Sequence, residues 1–92
     1  MNEKEKQGLS DLERVLAVNL EFLPRDLKRM TRDELAAELS KYAKRLKTHT
    51  ADIFYIVVAG PSEFEINSAV ALSKYCRKAI KIISLELAKR AA

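Results

Sequence analysis

A single cysteine, Cys76, and a single histidine, His49, leave this chain almost without the side chains that catalysis and metal binding favour. One cysteine cannot close an internal disulfide, which fits a cytoplasmic setting. A Cys–His nucleophile needs the two residues adjacent in space with a third group orienting them, and neither stands in a recognisable motif. Zinc needs more ligands than these two supply. Cys76 is expected as a small apolar member of a helix seam, and His49 as an exposed residue between helices. Glycine is equally scarce: Gly60-Pro61-Ser62 makes one turn, not a phosphate-cradling loop. Asp52, Glu63 and Glu65 form at most an acidic spot. No enzymatic activity, metal or cofactor is therefore expected.

Long hydrophobic runs are missing too. The longest, Ile53–Ala59, has seven residues, far short of a membrane span. The opening stretch Met1–Gln7 is charged and carries no apolar segment of the kind a signal peptide needs. It reads as a disordered tail ahead of one helical domain, Gly8–Ala92.

What is present points to a helical protein. Hydrophobic residues make up 48% of the 92 residues, enough for a globular core with little to spare. A third of the chain is charged and only Gln7 is a glutamine, a balance compatible with a thermophile. Three Ser/Thr-x-x-Glu boxes, Ser10–Glu13, Thr31–Glu34 and Ser62–Glu65, each precede an apolar helical pattern. In such a box the hydroxyl accepts from the third helical amide and the glutamate accepts from the cap's own amide. Both bonds satisfy donors that a helix start leaves free.

The pattern predicts an all-α single-domain bundle of about four helices with a long C-terminal helix. The first runs from about Asp11 to Phe22, with Leu12, Leu16, Leu20 and Leu23 on one side and Val15, Val18 and Phe22 widening the stripe. Pro24 breaks it and starts a short turn of helix, Pro24–Met30. Thr31 caps a second long helix, about Arg32–Lys47, whose seam is Leu35, Leu39, Tyr42 and Leu46. The β-branched segment Thr50–Gly60 is read as a short buried helix capped by Thr50, the alternative being a strand paired across a dimer. The last helix, about Glu63–Arg90, carries the seam Ile66, Ala69, Ser73, Cys76, Ile80, Ile83 and Leu87. Val70, Leu72, Ala79, Ile82 and Leu85 broaden that seam. The wide face is either core or, near Ile80–Leu87, a subunit interface.

Charge is unevenly distributed. Arg25–Lys47 holds eight basic and four acidic residues, and Ala71–Ala92 six basic and one acidic. Lys74, Arg77, Lys78 and Lys81 recur at helical spacing, opposite the apolar seam. Arg25, Lys28, Arg29 and Arg32 form a second cluster. Such stripes are either solvated faces or contacts for phosphates, each adding salt-dependent affinity. No aromatic residue is interleaved for base stacking, and no helix-turn-helix with a tight glycine turn is present.

Leu23-Pro24-Arg25-Asp26 is followed by a helix and then by a long terminal helix holding Arg77-Lys78-Ala79-Ile80-Lys81-Ile82 and Leu85. Over roughly Leu20–Ala91 this resembles the helical domain of archaeal GINS replication proteins. In that family an early Leu-Pro precedes a helix, and the last helix carries an Arg/Lys–Ile–x–x–Leu pattern within a subunit interface. The resemblance implies Ile80, Ile82, Ile83 and Leu85 as interface residues; the family's small β-domain has no counterpart here. The composition equally suits a subunit attached to an archaeal DNA polymerase.

The expected function is thus non-enzymatic: a small basic accessory subunit of a larger assembly, one tied to DNA replication. Its apolar partner surface comes from Ile80, Ile82, Ile83, Leu85 and Leu87, or from Ile53, Phe54, Ile56 and Val57. Lys74, Arg77, Lys78 and Lys81, with Arg25, Lys28, Arg29 and Arg32, face nucleic acid or an acidic partner. The alternatives are a free-standing homodimeric nucleic-acid binder and a protective helical protein like the bacteriocin immunity proteins.

Overall fold

Asn2, not Ser10, starts the first helix. Its Oδ1 accepts from the Glu5 amide at 2.8 Å while Glu5 Oε1 accepts from the Asn2 amide at 3.3 Å, a reciprocal capping box. The structure, a computed structural model, describes residues 1–59 and 62–91; the side chains of residues 52–59 are outside that description. It comprises α1 (Glu3–Leu27), α2 (Arg32–Ala59) and α3 (Glu63–Ala91), with no strand among the described residues.

Three helices therefore replace the expected four, and each difference has a physical cause. The supposed tail Met1–Gln7 is helical from Glu3 because its Glu, Lys and Gln residues are good helix formers. It is also tied down: the N-terminal ammonium lies 3.3 Å from Glu63 Oε2. Ser10, well inside α1, caps nothing.

Pro24 does not end α1. Leu23 and Leu27 are both buried, and only helical spacing across the proline puts the two on one face. The cost is one missing amide donor.

Nor does Thr50 open a separate helix. Its hydroxyl donates to the Leu46 carbonyl at 2.8 Å, as Thr48 does to Lys44 at 3.1 Å, so α2 runs unbroken to Ala59. The expected caps at Thr31 and Ser62 are present. Thr31 and Glu34 form the full reciprocal box, whereas Ser62 Oγ only accepts from the Glu65 amide.

α3 is the centre of the architecture, packing against α1 on one side and α2 on the other, while α1 and α2 meet each other little. α1 and α3 run parallel. Met1 meets Glu63 at one end, and Arg90 meets Leu27 and Met30 at the other. The shape is open, 48 × 25 × 15 Å. Its radius of gyration is 15.3 Å, against about 12 Å for a compact chain of this length.

The core gathers where α1 ends, α2 begins and α3 passes its midpoint. Leu27, Leu35, Ala79 and Ile83 are fully buried, with Leu23, Tyr42 and Cys76 around them. A leucine or isoleucine enclosed this way contributes about 1.5–3 kcal/mol. Towards the other end the α1 leucines, Leu9, Leu12 and Leu16, are only half-buried.

Candidate interaction surface

The open architecture leaves a cleft of about 340 Å³ between α1 and α3. On α1 it is lined by Leu9, Glu13, Leu16, Ala17 and Leu20, and on α3 by Asn67, Val70, Ala71, Lys74, Tyr75 and Lys78. Each set advances by threes and fours, so each is one face of its helix. A smaller cleft of about 210 Å³ continues the same faces past Pro24 and Leu27 on α1 and Ile82, Leu85 and Lys89 on α3. The small side chains of Ala17 and Ala71 keep the upper cleft open.

The basic stripe borders this cleft. At about 100° per residue, Lys74, Arg77, Lys78 and Lys81 fall within about 100° of arc on α3. All four are exposed, and among the described residues none of them is in an ion pair. Some other cations are committed locally. Lys41 and Arg45 each lie 5.6 Å from the Tyr42 ring centroid, Lys41 also pairs with Glu38, and Arg90 pairs with Glu86. Arg25, Lys28, Arg29 and Arg32 are exposed around the α1–α2 turn. Lys89 lines the lower cleft together with Pro24 and Glu86.

The apolar candidates divide sharply. Ile83 is fully buried and belongs to the core, not to a partner surface. Ile80, Ile82 and Leu87 are half-buried against that core, which accounts for much of their apolar area. Leu85 is 55% exposed and free for a partner. Ile53, Phe54, Ile56 and Val57 sit on helical backbone, but their side chains lie outside the described residues. Val15, Val18 and Phe22, expected to widen the buried stripe of α1, are 56%, 43% and 51% exposed instead. Their spacing of three and four places them together on the helix back, where α3 does not reach.

The residues with chemical potential are quiet. Cys76 is almost fully enclosed, and burial pushes its thiol up, away from the reactive thiolate. His49 is half-buried within α2 rather than exposed between helices. Tyr42 and Tyr75 meet edge to face with centroids 5.8 Å apart, and their hydroxyls share a hydrogen bond of 3.1 Å. Burial first, then that bond, raises the Tyr42 phenol well above the usual tyrosine range. No cluster of three metal-ligating side chains occurs among the described residues.

No family model, curated protein or solved structure matches this chain. The cleft itself was not anticipated from the sequence. The signal was Leu9, which extends the Leu16 and Leu20 stripe of α1 towards the charged start of the chain, with the small Ala71 on the α3 side.

Proposed function

We propose that this chain is a non-enzymatic, basic accessory subunit of a larger assembly that handles DNA, and that it acts in the cytoplasm. One observation carries the reading: a row of exposed cations on α3 borders a cleft, part apolar and part polar, that none of the described residues fills. Single exposed hydrophobic residues are ordinary, but a cleft with exposed Leu85 at its lower end, and a separate apolar strip at Val15, Val18 and Phe22 on the back of α1, offer surfaces suited to a partner. The replication context is taken only from the resemblance of Leu20–Ala91 to the helical domain of archaeal GINS proteins. No helix among the described residues is long and apolar enough to cross a membrane.

The test is a tagged pull-down from the native host, treated with nuclease and read by mass spectrometry. A stoichiometric partner that survives nuclease supports the accessory role, and recovery of the tagged chain alone removes it.

A second reading, a free-standing homodimeric nucleic-acid binder, draws on the unpaired state of Lys74, Arg77, Lys78 and Lys81. It requires duplex binding that weakens steeply with salt and falls when those lysines and Arg77 are changed. Binding indifferent to these substitutions removes it.

A further inference from the structure

We infer that the α1–α3 cleft is the docking groove for an acidic amphipathic helix of a partner protein. The inference rests on the accessory-subunit reading and specifies what that partner presents. Geometry comes first. The rows from Leu9 to Leu20 and from Asn67 to Lys78 have the same length, about 17 Å at roughly 1.5 Å per residue, or three helical turns. Two parallel helices with small residues at Ala17 and Ala71 between them leave a trough, and a third helix packs into such a trough through anchors at i, i+3 or i+4, and i+7.

Charge selects the occupant. Leu9, Leu16, Ala17 and Leu20 line the cleft on the α1 side with one carboxylate, Glu13, and Val70 and Ala71 line it on the α3 side with two cations, Lys74 and Lys78. Arg77 and Lys81 follow on the same face, and α3 carries no acid between Glu65 and Glu86. A helix seated there gains by placing carboxylates along the α3 side. A phosphate backbone would use the cations but leave the apolar lining wet. A second copy of this chain would bring a net charge of +4 against the same cations. An acidic helix alone uses both features.

The experiment displays a library of helices about four turns long, with leucine, isoleucine or phenylalanine at the anchor positions. The polar positions are randomised among Glu, Lys, Gln and Ser, and selection uses the full chain. Selected peptides are then titrated into the isotope-labelled protein and followed by amide NMR. The inference expects enrichment of Glu over Lys on one flank and shifts centred on Leu16, Ala17, Val70 and Ala71. It also expects affinity about tenfold weaker for the pair Lys74→Glu and Lys78→Glu, and retained affinity for Lys74→Arg with Lys78→Arg. Circular dichroism of the exposed-site variants verifies that helicity is intact.

No enrichment, no preference for Glu, or shifts centred on Val15, Val18 and Phe22 overturns it. So does a fluorescent DNA duplex that moves the Lys74–Lys81 amides while no helix is selected. Groove amides that shift with protein concentration alone give the groove to a second copy and overturn it as well. A nuclease-resistant host partner still captured by the Lys74→Glu, Lys78→Glu pair overturns the groove but leaves the accessory reading standing. Groove binding by acidic helices with no partner captured from the host does the reverse.

Discussion

Arg90 Nη2 donates to the Leu27 carbonyl at 2.9 Å, joining the last turn of α3 to the last turn of α1. Nη1 donates to the Met30 carbonyl, and Nε to Glu86 Oε1 at 3.2 Å. One guanidinium thus satisfies carbonyls that a helix end leaves free and places positive charge at the negative end of the α1 dipole. Arg90→Ala should lower stability by about 1.5–3 kcal/mol, the range for hydrogen bonds to charged groups. Arg90→Lys should recover little, because an ammonium cannot serve several acceptors in that planar geometry. Urea denaturation followed by circular dichroism measures both.

The Tyr42–Tyr75 hydroxyl pair holds α2 against α3 at mid-height. In a double-mutant cycle with Tyr42→Phe and Tyr75→Phe, the coupling energy should be about 1 kcal/mol. Because the folded Tyr42 phenol is raised above its unfolded value, chiefly by burial, folding holds its proton more tightly. Its contribution is therefore complete below the ordinary tyrosine range and lost as pH rises through and beyond it. Tyrosinate absorbance should show a late-titrating step, and Tyr42→Phe should abolish it.

Core and candidate partner surface separate cleanly between two residues of α3. Ile83→Ala should cost about 2–5 kcal/mol, as for deletion of an enclosed isoleucine. Leu85→Ser and Phe22→Ser should change the isolated chain by no more than about 0.5 kcal/mol. Thermal melts of the three variants test this, and equal losses would place Leu85 and Phe22 in the core.

The position of the first helix start can be tested at Gly8. A methyl added there meets the Phe64 ring at 3.7 Å, ordinary contact rather than a clash. Gly8→Ala should therefore stabilise the fold by about 0.5–1 kcal/mol, the helix-interior difference between the two residues. A disordered tail would make the substitution neutral.

At the start of α2, the Thr31 backbone amide and then its hydroxyl hold the Glu34 carboxyl below the usual range. A lowered folded pKa gives stability that is present above the unfolded value and lost as pH falls through the folded one. Thr31→Ala should raise the Glu34 pKa in an NMR titration and shorten helicity at Arg32–Leu35 on acidification.

Local chemistry determined much of this protein in advance. The helical class, the Thr31 start of α2 and the span of α3 were legible because caps and periodicity act within a few residues. The exposed basic row Lys74, Arg77, Lys78 and Lys81 was legible for the same reason, since a regular helix sets which side chains share a face. Tertiary structure decided what competed with those signals. Pro24 looks like a boundary, yet burial of Leu23 and Leu27 carries α1 through it. Ser10 looks like a cap, yet Asn2 takes that role, and Met1 beside it reaches Glu63 of α3. The cleft between α1 and α3, the burial of Ile83 and the exposure of Leu85, Val15, Val18 and Phe22 all depend on where a neighbouring helix lies. A stripe of apolar residues states that a face prefers cover; only the packing of the whole chain decides which part of it receives any.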